Sequence, residues 1–515
     1  MDGLNLCYPM SYFRICALFL PTVCVVFVAS LRAEVGLGAP FQDHMVLQRG
    51  KPLNIWGSAA PGEVVTVTFA DSHARTQAGA TGRWQLQLPA QKASAEGRPL
   101  TAEGENRLEL HDVLVGEVWL CAGQSNMEFG LSHIAGAEAV IESAQYPLIR
   151  QLKVPRRVSD EPLDVTAGTW QVCSPETAGT FSAVGYYFAR QVQAQTGVPV
   201  GILNVTHGGT RVEGWTRAET LAAHPEFAFV AEEWQETLAR YPAAQAAYEK
   251  RLAQWQARKA VGQDASAKPR PPLGPGHHYT PSGLYNGMLH PVIPMTLRGI
   301  LWYQGESNSR RAAPYEAQLV AMVEDWRQAF GQGDLPFYAV QLPGYVRAPE
   351  NPVEQEGWVA IRAAQAHIAT LPQAGLACAI DLGEHHNIHP THKRRVGERL
   401  ARLALHRQYG VPLQDTGPQL RSVVRKQGQL RLRFADVGAG LVAIGNVASG
   451  FELAGVDGIF HPADAAVQIS GNCVVVTSER VPEPVSVRYA WQPWQEGYLY
   501  NASMLPAPPF RWVEE

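Results

Sequence analysis

The chain has 515 residues, more than one compact domain accommodates, so about two to four domains are expected. Hydrophobic residues make up 46% and charged residues 17%, an ordinary globular balance that argues against wholesale disorder. The 43 basic and 47 acidic residues leave a net charge of −4, with no basic block interleaved with aromatics, which excludes a nucleic-acid partner as the leading expectation.

The run from Ile15 to Leu31 is apolar and free of charge, short for a membrane span and suited to the core of a signal peptide, with small residues at Ser30 and Ala33. Residues 1–33 are therefore expected to direct export, periplasmic or extracellular, and to leave no stable membrane span once cleaved. An uncleaved segment would instead anchor the protein. Four cysteines follow it, Cys121, Cys173, Cys378 and Cys473, without a CxxC pair, and read as buried free thiols.

Residues 34–112 carry short alternating runs (LNIWGS, EVVTVTFA, GRWQLQLP, RLELHD) between turn residues, the pattern of a β-sandwich module. From 113 to 410 the pattern changes to apolar strands, EVWLCAG, VPVGILNVT, LRGILWYQ and FYAVQLP, separated by helical stretches such as Gly185–Gln195. Strands alternating with helices imply a parallel sheet covered on both faces. An insertion at 218–280 begins with a helical run rich in Ala, Glu, Gln and Arg and ends in a Pro/Gly linker, KPRPPLGPGHH. Short strands return over 411–515 as a second β module.

Polar motifs follow four of the apolar strands, where an open parallel sheet binds its ligands. In GEVWLCAGQSNMEFG, Ser125 sits on a tight turn entering a helix, its hydroxyl raised above the sheet and its N–H among the orphan donors of the helix start. The plainer reading is that Ser125 only caps that helix. A serine nucleophile needs a base, and DLGEHHNIHPTHKRRVGERLA supplies His389 before Pro390, at a helix entry that Thr391 would cap. Asp381 ends a strand and is the preferred acid to orient the imidazole. The His385, His386, His389, His392 cluster also invites a metal reading, but no second ligand group stands at zinc spacing, so no metal is expected.

NVTHGGTRVEGW and LWYQGESNS reach the same sheet edge. Gly208 and Gly209 allow a substrate oxygen close to the backbone, Gln304 and Asn308 offer amide donors, and Arg211, Trp215 and Glu306 offer contacts to a polar ring-bearing substrate. Each has a structural alternative as a turn glycine, a satisfied core amide or an ion pair.

These blocks (GQSNMEF, HGGT, WYQGESN, IHP with a trailing Lys and GERLA) resemble those of the SGNH hydrolase superfamily, and most closely the sialate O-acetylesterase family of carbohydrate esterases. FQDHMVLQRGKPLNIWGSAAPGEVVTV and LYNGMLHPVIP also resemble that family, so the likeness runs from about Glu34 to Gly410. The resemblance implies an SGNH-type, flavodoxin-like α/β core flanked by β-sandwich-like modules. It implies Ser125 as nucleophile, His389 as base, and an oxyanion hole from the Ser125 N–H, a glycine of the 208–209 pair and an amide of the 304–308 block. Many superfamily members carry the acid three residues before the histidine, where this chain has His386. That leaves Asp381, then Glu384, then a Ser–His dyad, as alternatives. The implied reaction is removal of acetyl groups from an O-acetylated carbohydrate, with no cofactor. Rival readings are an acetyl-xylan or other polysaccharide deacetylase, and a carbohydrate-binding protein with a disused hydrolase core.

Overall fold

A computed structural model describes residues 34–514 apart from 166–167, 263–266, 348–351 and 465–467; the expected signal peptide lies outside the described residues. The core is a sheet whose strands run β1 (Arg107–Gly123), β2 (Tyr146–Lys153), β3 (Trp170–Cys173), β4 (Val200–Thr206), β5 (Gly299–Tyr303), β6 (Phe337–Gln341) and β7 (Ala374–Cys378) along the chain. Their spatial order is β3-β2-β4-β1-β5-β6-β7, parallel throughout except for the antiparallel edge strand β3. Strands β4, β5 and β6 are buried at every residue, so they read as continuous apolar runs rather than alternating ones.

Helices α2 (Ala183–Thr196) and α6 (Lys393–Tyr409) cover one face, with Phe188 edge-on to Trp119 of β1. Register places Gly299 beside Trp119 and Ala122 beside Trp302, so Trp302 points to the opposite face. There it meets Trp326 of α4 (Tyr315–Phe330), edge to face at 5.4 Å. Both tryptophans are fully buried, each worth about 2–3 kcal/mol of apolar transfer. Successive β1 residues thus serve opposite helical layers, and the fold is a mixed α/β sandwich with separate antiparallel sheets at its ends.

The boundary expected at 112–113 falls inside β1, which is one 17-residue strand shared by both layers. Its outer half pairs with Ser94–Glu103 of the N-terminal module and its inner half with β4 and β5. The bend comes at Asp112, at φ +55°, held by His44 and Arg150. Welding the module into the sheet this way leaves no flexible linker between them.

The insertion contains α3 (Ala228–Ala260), a 33-residue helix of which only Val230 is buried. The C-terminal region forms two four-stranded sheets and a two-stranded one around its own apolar cluster. Cys121, Cys173 and Cys378 are buried free thiols. Among the described residues no helix is long and apolar enough to cross a membrane.

Candidate active site

From β1 the chain switches to β4 on one side and β5 on the other, the place where an open sheet leaves a crevice at its carboxyl edge. Gly123 ends β1 at φ +132°, and a Cβ there would stand 2.2 Å from the Tyr303 carbonyl oxygen, so only glycine lets these strand ends close up. The turn lifts half-buried Ser125 into the crevice as the first residue of α1 (Ser125–Glu128). Ser125 Oγ lies 2.8 Å from His389 Nε2, so residues 264 positions apart are in hydrogen-bond contact. Burial lowers the His389 pKa, with the Lys393 charge acting in the same direction.

Asp381 does not orient that imidazole. Arg399 grips both its oxygens, at 2.5 and 2.7 Å, and the Tyr500 hydroxyl donates to it at 3.2 Å. A guanidinium matches a carboxylate's geometry better than an imidazole does, and Arg399 is itself buried, so it takes the charge it needs. Among the described residues no carboxylate contacts His389.

Glu384 acts on the loop instead. One of its oxygens accepts from the Thr391 N–H at 2.7 Å and hydroxyl at 2.8 Å, the other from Asn387 Nδ2 at 2.8 Å, while Asn387 Oδ1 accepts from the His389 N–H at 3.0 Å. The expected Thr391 cap on α6 is therefore replaced: the hydroxyl serves Glu384, and His392 stands at the helix start without a side-chain cap. His386 Nδ1 pairs with the Val346 carbonyl and His385 stacks edge-on to Trp494 of the C-terminal module, so both brace the loop.

The expected amide donors are spent elsewhere. Gln304 Nε2 donates to the Thr210 carbonyl at 3.0 Å and to Asn308 Oδ1 at 2.8 Å, while Asn308 Nδ2 donates to Glu213 at 3.2 Å. Both side chains are fully buried, and leaving their partners unmet would cost more than a substrate contact returns. The Gly208 N–H donates to Glu128 at 2.9 Å, and Arg156 holds the same carboxylate. Gly208 does lie against Ser125, since a Cβ on it would sit 3.3 Å from the serine Cβ. Gly209 takes φ +74° beside His278. Trp215, expected at the substrate, is a core residue: fully buried, edge-on to Trp302, its indole N–H on Thr210 Oγ1 at 3.0 Å.

Glu306 is buried, and burial raises its pKa. It accepts from Asn126 at 2.5 Å; Asn126 also donates to the Ile388 carbonyl at 3.0 Å and accepts from Lys393. Burial pushes Lys393 down to about 7. Asn126 and Lys393 both lie inside the sequence blocks, but only the fold shows that they tie the serine turn to the histidine loop.

Arg211 remains at the site, its guanidinium 4.1 Å from the Tyr279 ring centre. It lines a cleft of about 640 Å³ with Arg270, Tyr279, Tyr345, Trp358 and Ile388, the last next to His389. On the glycine side, His207, His277 and His278 stack together, and burial and neighbouring cations hold His278 at about 4, hence neutral.

A hydroxyl and an imidazole in contact at the carboxyl edge of a buried parallel sheet are the arrangement that an α/β ester hydrolase requires. The profile of the carbohydrate esterases described as sialic acid-specific acetylesterases matches residues 115–256 and 277–406, more than half the chain, and the protein belongs to that family. It is a carbohydrate O-acetylesterase. The sialate O-acetylesterase of Mus musculus is 28% identical over 95% of this chain and 97% of its own, and that of Homo sapiens 27% over 93% of each. A carbohydrate acetylesterase from Xanthomonas citri, 35% identical, superposes with a TM-score of 0.77 over 93% of this chain and 99% of its own.

Proposed function

We propose that the protein removes acetyl groups from an O-acetylated acidic sugar of the sialate type by serine acyl transfer on an SGNH-type, flavodoxin-like core. The 2.8 Å contact between Ser125 Oγ and His389 Nε2 carries the reading. Ser125 Oγ attacks the acetyl carbonyl carbon while His389 takes its proton. The Ser125 N–H faces the resulting oxyanion, and the Gly208 N–H joins it once Glu128 lets go. His389 then hands its proton to the departing sugar oxygen, leaving acetyl-Ser125. Water gives a proton to His389, attacks the acetyl group and releases acetate, and the proton returns to Ser125. The pair works as a dyad, with Glu384 holding the histidine loop rather than the ring.

Arg211 and Arg270, set among Tyr279, Tyr345 and Trp358, favour a sugar bearing a carboxylate over neutral acetyl-xylan. Export is proposed on the apolar segment at 15–31. The test is acetate release from a small aryl acetate by wild type, Ser125→Ala and His389→Ala, each folded by circular dichroism. Loss in both variants is expected, and equal activity in all three would overturn the site. O-acetylated sialic acid against acetyl-xylan then settles the sugar, and a preference for xylan would overturn the acidic reading.

A further inference from the structure

A second cleft lies at the other end of the sheet. The N-terminal module's small sheet pairs Leu53–Ser58 with Arg83–Leu88, placing Trp56 opposite Gln85 and Asn54 opposite Gln87. Along both strands burial alternates: Leu53, Ile55, Trp84, Leu86 and Leu88 face the module's core, while Asn54, Trp56, Gln85 and Gln87 face outward. The outward face forms one wall of a cleft of about 660 Å³, closed opposite by Ile293–Pro294, His290 and Phe330–Gly331. These opposing segments lie before β5 and at the carboxyl end of α4, ahead of β6, at the amino ends of the strands. Ser125 and His389 sit at the carboxyl ends, so the two clefts are separated by at least about 16 Å, the length of a five-residue strand.

The wall's chemistry is specific. Trp56 is held by an edge-on contact with Phe41 at 4.6 Å, and a Cβ at position 38 would fall 2.4–2.8 Å from its Nε1, Cε2 and Cδ1, so only glycine at 38 packs against that side of the indole and fixes the ring. Among the described residues the Trp56 indole N–H donates to none, although a tryptophan N–H usually finds a partner. Gln87 Nε2 donates to Asn54 Oδ1 at 2.8 Å and Asn54 Nδ2 to the Pro294 carbonyl at 3.0 Å, which fixes two amides beside the ring. Gln85 stands exposed directly across from Trp56. Arg83 at the rim is neutralised by Asp164.

We propose that this face is a binding site for a neutral pyranose oligosaccharide, distinct from the esterase centre. The apolar C–H face of a pyranose ring stacks on an indole, and its rim of hydroxyls both donates and accepts, as carboxamides do. With Arg83, the one Lys or Arg among the described residues of the rim, paired to Asp164, no charge there selects a charged sugar. The volume falls within the roughly 300–1,000 Å³ of clefts that take drug-sized ligands, so a short stretch of chain fits. Resting on the esterase reading above, the site would hold the neutral part of a glycan whose acetylated acidic sugar reaches the far edge of the sheet.

The test is native affinity electrophoresis of the full chain carrying Ser125→Ala, in gels containing hydroxyethylcellulose, soluble xylan or polygalacturonate. Retardation by a neutral polymer is expected, with Trp56→Ala weakening it about tenfold or more. Turnover of a small aryl acetate by Trp56→Ala in the otherwise wild-type chain should stay unchanged. Should that variant fail to fold, Gln85→Ala with Gln87→Ala, both on the exposed face, makes the same test. No retardation by either neutral polymer, retardation that these substitutions leave intact, or retardation by polygalacturonate alone overturns the proposal. None of these readouts depends on the reading of Ser125 and His389.

Discussion

Asp381→Asn separates two roles that the sequence leaves mixed. Asp381 and Arg399 have side chains 1% and 7% exposed, so the substitution strands a buried guanidinium with a neutral partner. Breaking a buried ion pair from one side costs about 3–5 kcal/mol. At about 1 °C per kcal/mol in a protein of this size, the melting temperature should fall by roughly 3–5 °C. The Tyr500 hydroxyl, also aimed at Asp381, links this loss to the C-terminal module. Activity should respond differently. If Asp381 only holds Arg399, then kcat on an aryl acetate per folded molecule at 25 °C should stay within about tenfold of wild type. An acid that fixes the imidazole's tautomer is worth about 10,000-fold. Melting followed by circular dichroism and initial rates on the same preparation read both quantities. A loss of about 1,000-fold or more in kcat at unchanged melting temperature would refute the assignment and restore Asp381 to the histidine.

The remaining expectations concern the loop, the base and the core. Glu384→Ala should lower kcat by up to about 100-fold through misplacement of His389 while leaving KM in place, and Glu384→Gln should recover only part of it, keeping one acceptor for Thr391 but setting an amide donor against Asn387; equal kcat in wild type and Glu384→Ala would contradict the positioning role. Because burial and then Lys393 lower the His389 pKa, the acidic limb of kcat/KM should fall below the ordinary histidine value near 6.5, rate being lost as pH drops through it. Lys393→Met removes the second influence and should move that limb upward; a limb that stays or moves down counts against the coupling. Trp215→Ala should destabilise the fold by about 3–5 kcal/mol and leave substrate KM unchanged in the folded fraction, measured by urea unfolding beside a substrate titration.

Strand ends were the legible part of this sequence. A parallel strand buried on both faces must be apolar throughout, so GEVWLCAG, VGILNVT and GILWY mark their own carboxyl ends, and the polar blocks after them had to gather at one sheet edge. The contact between Ser125 and His389 follows from that placement, because each lies in the polar block at its own strand end. The partner of a buried polar side chain is not local information. Nothing near Asp381 in the chain reveals that Arg399, one helix later, will turn back onto it, and nothing in HGGT reveals that Glu128 will claim the Gly208 N–H. The boundary expected at 112–113 lies within one strand for a related reason. Periodicity changes there because β1 passes from a half-exposed sheet into a doubly covered one, and a change of environment along one strand looks like a change of domain.

The blocks are also longer than a nucleophile, a base and an oxyanion hole require, and the geometry supplies a reason. Four loops springing from four strands have no common backbone ladder, so side chains must hold them in register. Gln304 and Asn308 fasten the loop after β5 to the loop after β4, Glu128 fastens α1 to Gly208, and Asn126 joins α1 to Glu306 and to the carbonyl before His389. An esterase of this kind gains rate when its donors and base stand in place before the substrate arrives, which makes rigidity of the loops a catalytic requirement. Buried amides suit that task because each can bond in several directions, provided every direction is met. Gln304, Asn308 and Gly208, which seemed to offer themselves to a substrate, are therefore residues whose donors the fold has already used.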